Sequence, residues 1–137
     1  MIKYTDSLKG INLENLHGFF VGWPEPPSPE THFRILKNSS EIVLALDNQT
    51  GNVIGFINAI SDQVLTAYIP LLEVLPDYQE KGIGKMLMSK MMKKLTGYYV
   101  IDLICDPERK SFYQQFGFKP LQAMGLRNYE MQSGKEN

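Results

Sequence analysis

The stretch LLEVLPDYQEKGIGKMLMSKMMKKL, residues 71–95, decides how this chain is read. An apolar run ends at Pro76, two glycines follow one residue apart at Gly82 and Gly84, and a segment rich in Met, Leu and Lys comes after them. From Ile83 the side chains Ile83, Leu87, Met88, Met91, Met92 and Leu95 share one half of a helical wheel. Lys85, Ser89, Lys90 and Lys93 take the other half, with Met86 and Lys94 as strays. The order is therefore strand, glycine loop, amphipathic helix. Backbone N–H groups at a helix start have no partners within the helix and carry partial positive charge, so this junction is suited to an anion.

The rest of the chain builds outward from that unit. EIVLALD (41–47) and VIGFINAIS (53–61) read as two strands joined by a turn carrying Gly51, and residues 64–76 as a long strand broken or bulged at Pro70. After Gly97, YYVIDLIC (98–105) reads as a buried strand. Upstream, residues 1–5 suggest a short strand, and Asn12 could cap a helix running to about Phe20. Ser28 followed by Pro29 gives a stronger start signal, for a helix ending near Asn38. Between these helices WPEPPSPE (23–30) must be an extended, stiff loop. Downstream, residues 107–116 read as a short helix closed by Gly117, with FKPL and LRNYEM as final strands. The expected order, β-α-α-β-β-β-α-β-α-β-β, describes a mixed α/β fold in one domain spanning residues 1–137.

Bulk properties narrow the function classes. The chain has 137 residues, 43% apolar and 21% charged, as expected of one ordinary globular domain. A net charge of −1 and a pI near 6.1 argue against nucleic-acid binding. No apolar run approaches the roughly 20 residues of a membrane span, and MIKYTDSLKG lacks a signal-peptide layout. One cysteine, Cys105, fits a reducing compartment, so a cytoplasmic location is expected. His17 and His32 have no metal-ligand spacing, and no metal is expected. A buried, inert Cys105 is expected rather than a nucleophile, because neither histidine is near it in sequence.

Three ligand classes use a strand–glycine loop–helix junction. A phosphate loop requires G-x-x-x-x-G-K-[ST], but Met86 follows Gly84-Lys85 and Gln79 stands five positions before Gly84. A dinucleotide loop requires a third glycine where Leu87 stands, and belongs in the first βα unit rather than after the fourth strand. Both patterns fail. The third pattern fits. Gln79-Glu80-Lys81-Gly82-Ile83-Gly84 resembles the Q/R-x-x-G-x-G/A loop of the GNAT superfamily of N-acetyltransferases. DPERKSFYQQFGF (106–118) resembles that family's second signature, Asn-x₆-Tyr-x₃-Gly-Phe, at the right distance and after a strand. Asp106 stands where many members have Asn, and Lys110 where a small residue is usual.

The resemblance implies acetyl-CoA as co-substrate, with residues 79–84 and Lys85 around its pyrophosphate. It also implies a splay between strands 64–76 and 98–105, where pantetheine pairs with free backbone groups of Leu72 and Val74. Asp106 would accept from a pantetheine amide. Tyr113 aligns with the tyrosine that protonates the coenzyme thiolate. Glu73 interrupts the apolar strand beside these contacts and is the preferred base for the amine proton, with Asp102 on the neighbouring strand as the alternative. Phe19, Phe20, Trp23 and Phe33, with Glu25 and Glu30, lie in the acceptor region, and Trp23 is the named candidate there. A small-molecule or peptide amine is the expected acceptor, and a homodimer is an expectation from the family alone. The competing reading is an acyl-CoA sensor or interaction subunit of the same fold without catalysis. Tyr113 and Glu73 favour the enzyme, since a sensor needs neither.

Overall fold

In a computed structural model, which describes residues 1–135, five strands form one sheet in the spatial order β1-β2-β3-β4-β5. They are β1 (Ile2–Thr5), β2 (Glu41–Asp47), β3 (Val53–Ser61), β4 (Thr66–Val74) and β5 (Val100–Asp102). The first four are antiparallel, and β5 joins β4 in parallel. A parallel pair needs a crossover, and α2 (Ile83–Lys94) supplies it.

Both faces of the sheet are covered, so β2 is a continuous buried apolar run. Val43 and Ala45 point to one face, where Ile83, Leu87, Met88, Met91 and Leu95 of the amphipathic helix close the core. Ile42 and Leu44 point to the other, against Leu36 of α1 (Pro29–Asn38) and the loop residues Leu16, Phe19 and Phe20. The Ser28 hydroxyl accepts the Thr31 N–H and Pro29 opens α1, as the capping signal predicts. Gly55 on β3 lets α2 approach: a Cβ there would lie 3.1 Å from Leu87.

Three expectations about elements fail. The buried strand read over residues 98–105 is only Val100–Asp102, and none of those eight residues is buried, because this strand lies at the edge of the sheet. The segment from Asn12 forms one 3₁₀ turn, Leu13–Asn15, and no α-helix. Leu16, Phe19 and Phe20 are all buried, and left-handed backbone at Gly18 and Phe20 folds them inward rather than winding them on. FKPL and LRNYEM form no strands; residues 118–128 run without regular structure into a 3₁₀ turn at Tyr129–Met131. Pro120 cannot donate to a ladder and Gly125 weakens one. The short helix downstream of β5 is α3 (Lys110–Gln114), entered through a 3₁₀ turn at Pro107–Arg109 and closed by Gly117 in left-handed backbone.

The interruption expected at Pro70 is a bulge. Asn58 pairs with Leu71 and Ile60 with Tyr68, so Ile69 and Pro70 oppose the single residue Ala59. The buried Asn58 side chain secures the bulge: its Oδ1 accepts the Leu71 N–H at 3.1 Å and its Nδ2 donates to Ser39 Oγ at 3.0 Å. Pairing between β4 and β5 covers Thr66–Tyr68 and stops there. Beyond Tyr68 the two strands part.

Candidate active site

The parting of β4 from β5 opens a cleft of about 900 Å³. One wall is residues 70–74 of β4, and the opposite wall runs through Ile104, Cys105 and Asp106 to Arg109, Phe112 and Tyr113. The glycine loop and the first turn of α2 close one end, with Gln79, Glu80, Gly82, Ile83, Gly84 and Lys85 in the lining. Val21, Trp23 and Arg127 also line it. The fold thus gathers into one cavity the nominated cofactor residues except Lys81, both Tyr113 and Glu73, and Trp23 of the acceptor region. Lys81, Asp102 and the acceptor-region residues Phe19, Phe20, Glu25, Glu30 and Phe33 lie outside its walls. Lys81 turns its ammonium over the Tyr78 ring, 5.5 Å from the centroid, and Asp102 sits in β5 paired with Tyr68.

The loop is held open by specific bonds. Leu75 N–H donates to the Ile54 carbonyl at 2.9 Å, Tyr78 hydroxyl to Asp47 Oδ2 at 2.8 Å, and Gln79 Nε2 to the Val74 carbonyl at 2.9 Å. Between these anchors and α2 the backbone is left-handed at Glu80 (φ 63°) and Gly82 (φ 80°). Such a value suits Gly82 and is costly for Glu80, by on the order of 1 kcal/mol or more. No side chain caps the helix at Gly82, so its first N–H groups have no capping side chain. A Cβ at Gly84 would meet Phe112 and Val74 at 3.8 Å, ordinary contact, so the protein itself leaves room for alanine there. These features fit a diphosphate: unpaired donors, a helix dipole and no side chain in the way.

Glu73 has a partner that the sequence did not disclose. Its Oε1 accepts the Phe20 N–H at 2.8 Å and its Oε2 the Val21 N–H at 3.3 Å. Among the described residues Phe20 is one of three non-glycine residues with positive φ, so the carboxylate secures a strained turn. That turn continues through Trp23 N–H to the Phe20 carbonyl at 3.1 Å and sets Trp23 against the cleft. A carboxylate has about four acceptor sites, and two remain on Glu73 after these bonds. Of the nominated aromatics, Phe19 and Phe20 are core residues, whereas Trp23 is partly exposed.

Tyr113 stands half-buried between Phe112 and Phe118. Burial pushes its phenol above the ordinary value; the neighbouring Cys105 adds to the rise and Arg109 opposes it. It is therefore a protonated donor throughout the neutral range. Cys105 is half-buried in the cleft wall rather than fully buried as expected. Sequence reasoning also missed Arg109, Phe112 and Arg127 as walls; a signal existed only for the first two, which lie inside the 106–118 motif. Among the described residues no group of three or more His, Cys, Asp or Glu is placed to hold a metal, and no helix is long and apolar enough to cross a membrane.

Comparison with known proteins agrees with this architecture. The family model described as an acetyltransferase (GNAT) domain matches residues 38–120. The uncharacterized N-acetyltransferase ycf52 of Pyropia yezoensis is 33% identical over 121 residues, covering 84% of this chain and 69% of the relative. A solved structure from Deinococcus radiodurans R1, assigned to the acetyltransferases, superposes with a TM-score of 0.95 at 43% identity, covering 99% of this chain and 94% of that one. A GNAT-family acetyltransferase of Streptococcus pneumoniae TIGR4 superposes with a TM-score of 0.75 at 28% identity, covering 93% and 98%. The chain belongs to the GNAT superfamily and is an N-acetyltransferase.

Proposed function

We propose that the protein transfers an acetyl group from acetyl-CoA to a primary amine by direct attack within a ternary complex. The observation that carries this reading is the shared cavity: the glycine loop, the edge of β4 beyond Tyr68 that β5 leaves unpaired, and Tyr113 all line it. The loop and Lys85 take the pyrophosphate, and the backbone of Leu72 and Val74 is free to pair with pantetheine. Asp106, across the cleft, accepts from a pantetheine amide.

The amine nitrogen forms a bond to the thioester carbon, the carbon–sulfur bond breaks, and the departing thiolate takes the phenolic proton of Tyr113. The ammonium formed at the new bond loses its proton to Glu73, directly or through water. Alignment in the cleft, a donor at the sulfur and an acceptor at the nitrogen are what the reaction needs. The backbone N–H near Val74 polarises the thioester carbonyl as charge develops on it. Trp23 and Val21 border the acceptor end.

Calorimetric titration with acetyl-CoA, on the natural protein and on Gly84→Trp, tests the cofactor and its seat together. Binding at about micromolar Kd in the first and none in the second is expected, because an indole at residue 84 fills the space beside Phe112 and Val74. Equal binding by both proteins would move the cofactor elsewhere. Thiol release with a panel of amines then separates an enzyme from an acyl-CoA sensor of the same fold.

A further inference from the structure

Residues 118–132 connect the Tyr113 wall of the cleft to the loop just beyond Trp23. At one end the Phe118 ring packs edge-on against Tyr113, with centroids 6.2 Å apart. At the other, Gln132 Oε1 accepts the Glu25 N–H at 2.9 Å, two residues beyond Trp23. Arg127, just before the 3₁₀ turn at Tyr129–Met131, lines the same cavity as Val21 and Trp23. Lys85 and Arg109, the other basic residues in the lining, belong instead to α2 and to the turn leading into α3.

Arg127 is exposed, and among the described residues no carboxylate lies within ion-pair distance of it. Its one hydrogen bond is a long 3.5 Å contact from Nη1 to the carbonyl of its own neighbour Leu126. The guanidinium lies over Gly125, where a Cβ would come within 2.9 Å of Nη1. Any larger residue at 125 would displace it. A planar five-donor cation left without an anion, beside a cavity and over a glycine that makes room for it, is equipped to take a carboxylate or phosphate. Glu73, with two acceptor sites remaining, lies in the same cavity and suits an ammonium group.

We propose that Arg127 is an anion seat for the acceptor, so that the amine acetylated is one that also carries a carboxylate or phosphate group. This rests on the acetyl-transfer reading and narrows it: Glu73 faces the amino end of the acceptor and Arg127 its acidic end. Gly125 is a positioning residue, acting through the guanidinium.

The test compares kcat/KM for two matched pairs, β-alanine with β-alaninamide and aminoethyl phosphate with ethanolamine, in the natural protein, Arg127→Gln and Gly125→Ala. Acetyl-CoA Kd is measured in each. The natural protein should prefer the acidic member of at least one pair by about tenfold or more, and which pair responds separates carboxylate from phosphate. Arg127→Gln should cut that preference by about ten- to hundredfold, mainly through KM, the range for a hydrogen bond to a charged group. Gly125→Ala should cut it in the same direction without removing the charge, and acetyl-CoA Kd should stay within about twofold. A natural protein that binds acetyl-CoA yet shows no acidic preference, or acetylates none of the four, overturns the proposal. So does an Arg127→Gln protein whose main loss is in acetyl-CoA affinity, since Arg127 would then serve the cofactor. A natural protein that does not bind acetyl-CoA at all sinks the acetyl-transfer reading itself, which is a different result.

Discussion

Lowering the pH from 7 to 5 should cost this fold about 2 kcal/mol through a single residue, His32. His32 is 1% exposed, with Phe56, Phe20 and Phe19 ring centroids 4.3, 4.9 and 5.2 Å from its own. Neither ring nitrogen has a hydrogen-bond partner among the described residues. Burial disfavours the imidazolium and pushes the pKa from 6.5 down to about 4. In the unfolded chain the imidazole gains its proton as the pH falls through 6.5; in the folded protein it does so only near 4. The contribution is therefore undiminished above pH 6.5 and falls by about 1.4 kcal/mol per pH unit between the two values, to about 3 kcal/mol in all. Asp6, Asp47 and Asp62 do not blur this window. Lys94 holds the first below the ordinary carboxylate range, and backbone N–H groups hold the other two there, with help from Tyr78 for Asp47. Urea unfolding at pH 7 and pH 5 measures the difference, which also corresponds to a melting shift of roughly 6–10 °C. His32→Leu puts a side chain of similar size into the same aromatic cage and removes both unpaired nitrogens. Its stability should lose that part of the pH dependence and be no lower at pH 7 by more than about 1 kcal/mol. If the leucine variant and the natural protein lose stability in parallel between pH 7 and pH 5, the burial argument is wrong.

Tyr113→Phe should lower kcat by about a hundredfold while acetyl-CoA still binds, because the phenol is the donor and its ring does the packing. With its phenol raised above 10, the natural enzyme should show no alkaline decline from Tyr113 below that pH; a break near pH 8 that vanishes in the variant would contradict the assignment. Glu73→Gln should slow the reaction most at low pH, where free amine is scarce, and an unchanged pH–rate profile would remove Glu73 as the base. The same variant turns an acceptor into a donor beside Phe20 N–H or Val21 N–H, so a stability loss of about 1–2 kcal/mol should accompany it in urea. Asn58→Leu should cost about 2–4 kcal/mol in urea, since it strands the Leu71 N–H at the bulge and removes the bond to Ser39. A loss below about 0.5 kcal/mol would mean that the bulge is held by other contacts.

The elements legible in the sequence were those whose cause is local. The Ser28-Pro29 start and the 3.6-residue period from Ile83 each depend on neighbours within a few positions, and α1 and α2 lie where those signals put them. β2 and β3 were readable as apolar runs on either side of the turn at Gly51. Asn12–Phe20 misled because its apolar spacing serves a hydrophobic cluster under the sheet, and the left-handed turn at Phe20 is held by Glu73, 53 residues away. The final segment misled because short stretches with apolar ends, FKPL and LRNYEM, look like strands, yet Leu121 and Leu126 are exposed and pair with nothing in the sheet. In the site, the glycine loop and Tyr113 were legible from fixed spacings. Arg127 was not, since its place depends on the bond from Glu25 to Gln132 across more than a hundred residues.

Why the cleft opens where it does follows from three features of β4 taken together. Pro70 has no N–H to give to the ladder, so the strand bulges at Ile69 and Pro70, and the Asn58 side chain takes the Leu71 N–H that the displaced register frees. A bulge increases local twist and turns the second half of β4 away from its original line. On the other side, β5 is reached by the α2 crossover, pairs with only the first three residues of β4, and ends at Asp102. Neither neighbour can then fill the far edge of residues 70–74, and the backbone there faces the cleft. Glu73 lies on this same stretch and reaches back to Phe20 and Val21, so one short segment governs both the cofactor's edge and the acceptor's border. A substitution that removed the bulge would therefore disturb both binding partners at once, whereas one at Gly84 or Arg127 would disturb one alone.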